Sequence, residues 1–188
     1  CLGIEPTAST AEAAEKLGVP VLLEFFGEAL GQRLAKQGKQ ADLIVGNNVY
    51  AHVPDINDFT KGLKAALKTN GTITLEFPHL MRLLEHAQFD TIYHEHFSYL
   101  SLFTVSNIFA SVGLRVWHVQ ELPTHGGSLR VYGCHEQDSR ESTEELKTLQ
   151  NNELERGMKR LGSYADFQPR VEKIKNDLLD FLITLKQS

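Results

Sequence analysis

Seven residues in the middle of the chain, Tyr93-His94-Glu95-His96-Phe97-Ser98-Tyr99, bring together two imidazoles, a carboxylate and two phenols. Histidine titrates near neutral pH, so a neighbouring Glu or Tyr can poise it as a general base or acid with little further tuning. No other window is as rich in proton-transfer groups, which makes this segment the candidate active site. In an extended backbone His94 and His96 share one face while Tyr93 and Glu95 share the other. In a helix all four fan around the axis. The spacing alone does not choose between a base and a metal ligand. Zinc needs three or four ligands, however, and no obvious further set accompanies these two histidines. Histidines satisfied by loop hydrogen bonds are the bland alternative for a single residue, and a cluster weighs against it.

Groups of this kind need a rigid scaffold, and the chain before them alternates strands with helices. Cys1 to Glu5 reads as a strand ending on an acid, since Pro6 forces Glu5 into an extended backbone. Ser9 or Thr10 is expected to cap an Ala-rich helix from Ala11 to Leu17 that stops at Gly18. Val19 to Phe26 reads as a second strand, Gly27 to Lys36 as a helix, and Ala41 to Val49 as a third apolar run. Asp55 or Asn57 can cap the helix that follows, which runs to about Leu67. Asn70-Gly71 predicts a turn before a strand from Thr72 to Phe77, and His79 to Ala87 looks helical. Alternation of this sort predicts a mostly parallel sheet covered on both faces. Ligands of such sheets bind beyond the carboxyl ends of the strands. Glu5, Phe25, Phe26, Asn47, Asn48 with His52, and Glu76 are therefore expected on one rim, although an acid or Asn at a strand end often only caps the next helix.

After the cluster the pattern predicts a helix over Thr104 to Val112 and a strand over Leu114 to Val119. His125-Gly126-Gly127-Ser128-Leu129-Arg130 follows, where paired glycines permit a tight turn or close approach to a ligand and Arg130 can meet a phosphate. A wide hairpin forming an antiparallel edge is equally compatible. Residues 138–188 form a helical tail. Leu146, Leu149, Leu154, Met158 and Leu161 make one apolar stripe, and Val171, Ile174, Leu178, Phe181 and Leu185 make another. The second stripe runs almost to the end of the sequence, which suggests a covering partner outside it.

Composition narrows the class of function. The charges, 19 Lys and Arg against 24 Asp and Glu, sum to −5 without long runs of one sign, so neither a nucleic-acid nor a membrane-surface role has electrostatic support. Cys1 and Cys134 are the sole cysteines, with no disulfide framework, and this suits a reducing cytoplasmic setting. Neither a membrane-length apolar run nor a signal-peptide pattern is present. A small-molecule partner is the expectation.

The strings Gly3-Ile4-Glu5-Pro6, Asn47-Asn48-Val49, His52-Val53-Pro54-Asp55, Glu76-Phe77-Pro78-His79, Tyr93-His94-Glu95-His96 and His125-Gly126-Gly127-Ser128-Leu129-Arg130, in that order, closely resemble the S-adenosylmethionine (SAM)-dependent sugar C-methyltransferases. The resemblance covers Cys1 to about Tyr132 and implies a Rossmann-like class I methyltransferase sheet over residues 1–137 with the helical tail behind it. It implies SAM as cofactor and a nucleotide-linked keto-deoxy sugar as substrate. Glu5 stands where the family's acid bonds the cofactor ribose, Phe25 and Phe26 where the adenine pocket is expected, and Asn47 and Asn48 near the methionine end. His96 looks like the family's general base, with Tyr93, Glu95 and His52 orienting it or holding the sugar. His94, His125, Ser128 and Arg130 are the matching candidates for further substrate contacts. The family's N-terminal zinc-binding region, first strand with its Gly-rich loop, and second Rossmann-like lobe have no counterpart in this sequence. It therefore reads as the middle of a longer enzyme, with a gap expected between the strands at residues 1–5 and 41–49. A nucleotide-dependent sugar dehydrogenase or epimerase is the rival enzyme reading, although no Tyr-x-x-x-Lys stands near Tyr93. An inactive binding fragment is the non-enzymatic one.

Overall fold

A computed structural model describes residues 1–187. Its elements follow in the order β1 (Gly3–Ile4), α1 (Ala8–Lys16), β2 (Val21–Leu22), α2 (Glu28–Lys36), β3 (Ala41–Asn47), α3 (Ile56–Ala66) and β4 (Leu67–Pro78). They continue with α4 (Leu80–His86), α5 (Leu102–Ser111), β5 (Leu114–Leu122), β6 (Ser128–His135), α6 (Glu144–Glu155) and α7 (Phe167–Gln187). This is a Rossmann-like α/β fold with a helical tail. β1 pairs with β2 in parallel, and a separate sheet runs in the order β3-β4-β6-β5. Within it β3 and β4 are parallel, while β6 is antiparallel to both β4 and β5. Among the described residues no ladder joins β1 to β3.

The core gathers Ile73, Leu75 and Phe77 of β4, Leu129 and Val131 of β6, Leu63 of α3, and Val105 and Phe109 of α5. All are nearly or wholly buried, and their removal from water is the main force holding these layers together. Leu146, Leu149 and Met158 extend the same core, so the start of the tail is packed on the sheet domain. Coverage is incomplete elsewhere. Leu43 and Val45 of β3 remain more than half exposed, against the expectation of a sheet covered on both faces.

Local chemistry accounts for several boundaries that differ from the sequence reading. The second strand is only Val21–Leu22, because the chain bends at once, with Glu24 N–H donating to Leu22 O at 3.0 Å. Ser9 and Thr10 lie inside α1 rather than capping it, and Thr7 holds the N-cap position. Asp55 does cap α3, accepting from the N–H groups of Asn57 and Asp58. Asn70-Gly71 is strand rather than turn, and Arg140 donates to both carbonyls at 2.8 and 2.9 Å. α5 begins at Leu102, two residues before Thr104, because Ser101 accepts from Thr104 N–H as its cap. In the tail, Leu154 and Leu161 leave the expected stripe and are exposed. So is most of the second stripe, including Ile174, Leu178, Phe181 and Leu185 of α7.

α2 crosses α3 at unusually short range. A Cβ on Gly31 would sit 2.4 Å from the backbone oxygen of Gly62, so only glycine permits the approach.

Candidate active site

The site is built where the chain leaves β3. Asn48 takes a left-handed backbone (φ 53°), and its N–H donates to Glu76 O at 2.8 Å, joining the carboxyl ends of β3 and β4. A single helical turn, Tyr50–His52, follows. Tyr50 is wholly buried and serves as its anchor. The Thr60 hydroxyl donates to Ile56 O at 2.6 Å, which leaves its oxygen to accept from the Tyr50 phenol at 2.7 Å. Burial pushes that phenol far above its ordinary titration range and keeps it protonated. The Ala51 carbonyl then accepts from two main-chain amides of the cluster, Phe97 at 2.9 Å and Ser98 at 3.2 Å. This double bond to main chain docks the Tyr93–Tyr99 segment against the turn.

The docked segment is neither strand nor helix. His96 N–H donates to Tyr93 O at 3.1 Å, so the backbone turns and sets Tyr93 beside His96. The extended alternative, with Tyr93 and Glu95 on one face, does not hold. The Tyr93 and His96 rings lie 4.4 Å apart, the His52 ring stands 4.7 Å from His96, and Tyr99 meets His96 edge-on at 5.8 Å. Main-chain carbonyls orient both imidazoles. His96 Nδ1 lies 2.9 Å from Thr91 O, and His52 Nδ1 lies 3.0 Å from Glu95 O. A carbonyl can only accept, so Nδ1 carries the hydrogen in each ring and the neutral imidazole keeps its basic lone pair on Nε2. Tyr93 Oη stands 3.2 Å from that nitrogen of His96. The result is a half-buried imidazole with a fixed tautomer beside a half-exposed phenol. Glu95 contributes its carbonyl, while its carboxylate and the His94 side chain are exposed.

A second polar group gathers at the end of β4. Glu76 is buried and accepts from Arg130 Nη2 at 2.7 Å and Thr124 Oγ1 at 2.9 Å. Burial opposes its ionisation, but the hydrogen bonds from Arg130 and Thr124, aided by the Arg130 charge, prevail and hold the carboxyl below its usual range. Arg130 is thus engaged with Glu76 here, rather than standing free for a phosphate. Ser128 is buried, and its hydroxyl donates to Thr124 O at 3.1 Å, closing the turn instead of facing outward. His125, Gly126 and Gly127 all have positive φ, and this carries His125 to an exposed position at the turn. Gln88 Nε2 donates to Gly126 O at 2.8 Å, tying this turn to the start of the histidine segment.

The residues expected to hold a cofactor lie at strand ends, with differing freedom. Glu5 Oε1 accepts from Thr7 N–H at 2.7 Å, a helix-start contact, and among the described residues its other carboxylate oxygen makes no hydrogen bond. Phe25 is 83% exposed, whereas Phe26 turns inward and packs edge-on against Phe59 at 5.1 Å. Phe26 therefore belongs to the core margin, leaving Phe25 as the accessible ring. Asn47 and Asn48 have exposed side chains. Sequence reasoning had no signal for the Thr91 carbonyl, because a main-chain acceptor leaves no mark in residue type. Tyr99 belongs to the cluster and Thr124 adjoins the His125 motif, and residue type alone gives neither its contact. Among the described residues, no group of three or more His, Cys, Asp or Glu is arranged to hold a metal, and no helix is long and apolar enough to cross a membrane.

Comparison with known proteins bears on the family and the fold. Residues 3–119 match a family model described as a methyltransferase domain, and residues 123–188 match the C-methyltransferase C-terminal domain. The C-methyltransferase NovU of Streptomyces niveus is 32% identical over 96% of this chain. The chain spans 43% of that relative's length, less than half. Among solved structures, a SAM-dependent methyltransferase of Anabaena variabilis superposes with a TM-score of 0.52 at 15% identity, covering 71% of this chain and 67% of that one. The magnesium protoporphyrin IX methyltransferase of Synechocystis with bound SAH gives 0.52 at 11% identity, covering 71% and 63%. At these identities the structures speak for the fold alone.

Proposed function

The chain belongs to the methyltransferase-domain family, and we propose that it serves an enzyme that transfers a methyl group from SAM to a ring carbon beside the keto group of a nucleotide-linked deoxy sugar. One observation carries this reading: His96 gives its Nδ1 hydrogen to the Thr91 carbonyl and keeps a basic Nε2 next to a phenol. That pair suits removal of a proton from carbon, a step that phosphoryl or hydride transfer does not need. The likeness to a C-methyltransferase points the same way.

The available groups fit the cofactor in part. Glu5 retains a carboxylate oxygen for ribose hydroxyls, Phe25 offers an open ring face for a base, and Asn47 and Asn48 present amides at the end of β3. Phe26 and Ser128 are occupied by packing and by a turn, and are not assigned ligand roles. When bound, SAM supplies the electrophilic methyl.

The chain's own residues do the rest. His96 Nε2 accepts the proton from the sugar carbon, and the electron pair of that C–H bond moves toward the keto oxygen to give an enolate. A donor near that oxygen lowers the barrier further, and the Tyr93 phenol stands beside the base, whereas the His52 ring spends its Nδ1 hydrogen on Glu95 O and keeps only an acceptor on Nε2. The enolate carbon would be the nucleophile for the methyl group that SAM would supply if bound against Glu5, Phe25, Asn47 and Asn48. Glu95, His94, His125 and Arg130 remain candidate sugar or nucleotide contacts, with Arg130 exchanging Glu76 for a phosphate if it takes part.

Incubating the full-length protein with SAM and a panel of nucleotide-linked keto sugars tests this reading. The expected result is one added methyl by mass, and, without cofactor, solvent deuterium entering the sugar carbon. Methyl transfer to oxygen or nitrogen with no deuterium exchange overturns it.

A further inference from the structure

Glu153 of α6 and His79, between β4 and α4, form a buried pair away from the proton-transfer groups, with relative exposures of 3% and 1%. His79 Nε2 donates to Glu153 Oε1 at 2.8 Å. The same carboxylate accepts from the first two N–H groups of α5, Leu102 at 2.7 Å and Phe103 at 2.8 Å. A buried carboxylate costs several kcal/mol unless it is well satisfied, and here three donors and the positive end of a helix dipole meet it. An apolar side chain at 153 would strand two buried main-chain amides, so the cap explains the carboxylate, but the buried histidine that meets it calls for a further reason.

That reason lies in what the pair fixes. The main chain of His79 bridges to Leu100, and Leu80 N–H donates to Leu100 O at 2.9 Å, one residue beyond Tyr99. His79 N–H also donates to Gly127 O at 3.0 Å. The ring and main chain of His79, together with Glu153, therefore set the exit of the His96 segment, the first turn of α5 and the end of the His125-Gly126-Gly127 turn relative to one another. Among the described residues the remaining ring nitrogen, Nδ1, is buried without a hydrogen-bond partner, so Glu153 makes the ring's one polar contact there.

We propose that Glu153 and His79 are positioning residues for the transfer reaction, through which the tail helix α6 holds the His96 segment in register with the 124–127 turn. This rests on the reading of His96 as the base. An ångström of displacement of a base is enough to cost about a hundredfold in rate, so a small slip of the exit should be seen in turnover before binding.

The test uses the full-length enzyme. Glu153→Gln keeps the shape but loses an acceptor oxygen, His79→Leu removes the ring donor, and His79→Gln restores a donor at similar reach. Glu153→Gln and His79→Leu are expected to lower kcat and the cofactor-free deuterium exchange by about tenfold or more, with KM for both substrates within about twofold of wild type. His79→Gln is expected to recover most of kcat. Wild-type kcat and exchange in folded Glu153→Gln and His79→Leu overturn the proposal, as does equal loss in His79→Gln and His79→Leu. Should Glu153→Gln fail to fold, the two His79 variants decide. His96→Ala is measured alongside: wild-type turnover there defeats the base reading itself, whereas its loss beside an unaffected Glu153→Gln defeats only the positioning role.

Discussion

Tyr93 Oη and His96 Nε2 stand 3.2 Å apart, on the far side of the imidazole from the nitrogen held by the Thr91 carbonyl. With Nδ1 bearing the ring hydrogen, the phenol donates to the Nε2 lone pair, and it can turn that hydrogen to a developing oxyanion only by releasing the nitrogen, a different part from that proposed for His96. The two residues should therefore differ in how much their loss costs.

His96→Ala in the full-length enzyme is expected to lower kcat by about a hundredfold to ten-thousandfold, the range of a lost general base. Tyr93→Phe removes one hydrogen bond and should cost about tenfold. Calorimetric SAM affinity should be unchanged in both, since neither belongs to the expected cofactor set. Equal losses in the two variants would reassign the proton-transfer role.

His52→Asn and His52→Ala test whether the ring 4.7 Å from His96 takes part beyond shape. Asn keeps a donor that can reach the Glu95 carbonyl, the present partner of His52 Nδ1, so it should retain more turnover than Ala. We expect the two to differ in kcat by about fivefold or more. Matching values would reduce His52 to a spacer.

The Glu76 carboxyl is held below its ordinary value of 4.5, so the sign of its pH effect is set. A carboxyl depressed in the folded state stabilises the fold above its unfolded value, and that contribution is lost as pH falls through the folded value. Urea unfolding of wild type and Glu76→Gln should show a stability gap that is constant above about pH 5 and narrows on acidification below it. A gap that does not change with pH would mean that the Arg130 and Thr124 contacts do not act through the charge.

Gly31→Ala would push a methyl to within 2.4 Å of the Gly62 backbone oxygen. Because backbone cannot swing aside as a long side chain can, α2 and α3 must separate, with a loss of about 1–3 kcal/mol in unfolding free energy. Thermal or urea unfolding checks this, and an unchanged midpoint would show that the crossing is looser than described.

Much of the scaffold was legible because hydrophobic period and punctuation act locally. Gly18 and Gly38 do terminate helices with positive φ, Asp55 does cap, and the antiparallel hairpin ending in Arg130 and Tyr132 does pair. The site was legible as a cluster but not as a shape. Periods of 2 and 3.6 residues have no place for the turn that sets Tyr93 beside His96, and the acceptors orienting both rings are main-chain atoms. Ser128 and Phe26 looked like ligands by type and are spent on a turn and on Phe59. The link from His79 to Glu153 spans 74 residues and joins two helical patterns that read as unrelated. Its partners are chosen by the fold, so no local signal announces them.

The Ala51 carbonyl, gripped by the amides of Phe97 and Ser98, makes the spacing of the two imidazoles a property of the peptide chain itself. Residue type at 97 or 98 can drift without altering it, provided an amide hydrogen remains; proline is the one natural residue that would unhook the grip. A family of variants differing only in their side chains at 97 would then share one arrangement of His52 and His96 while presenting different walls around it.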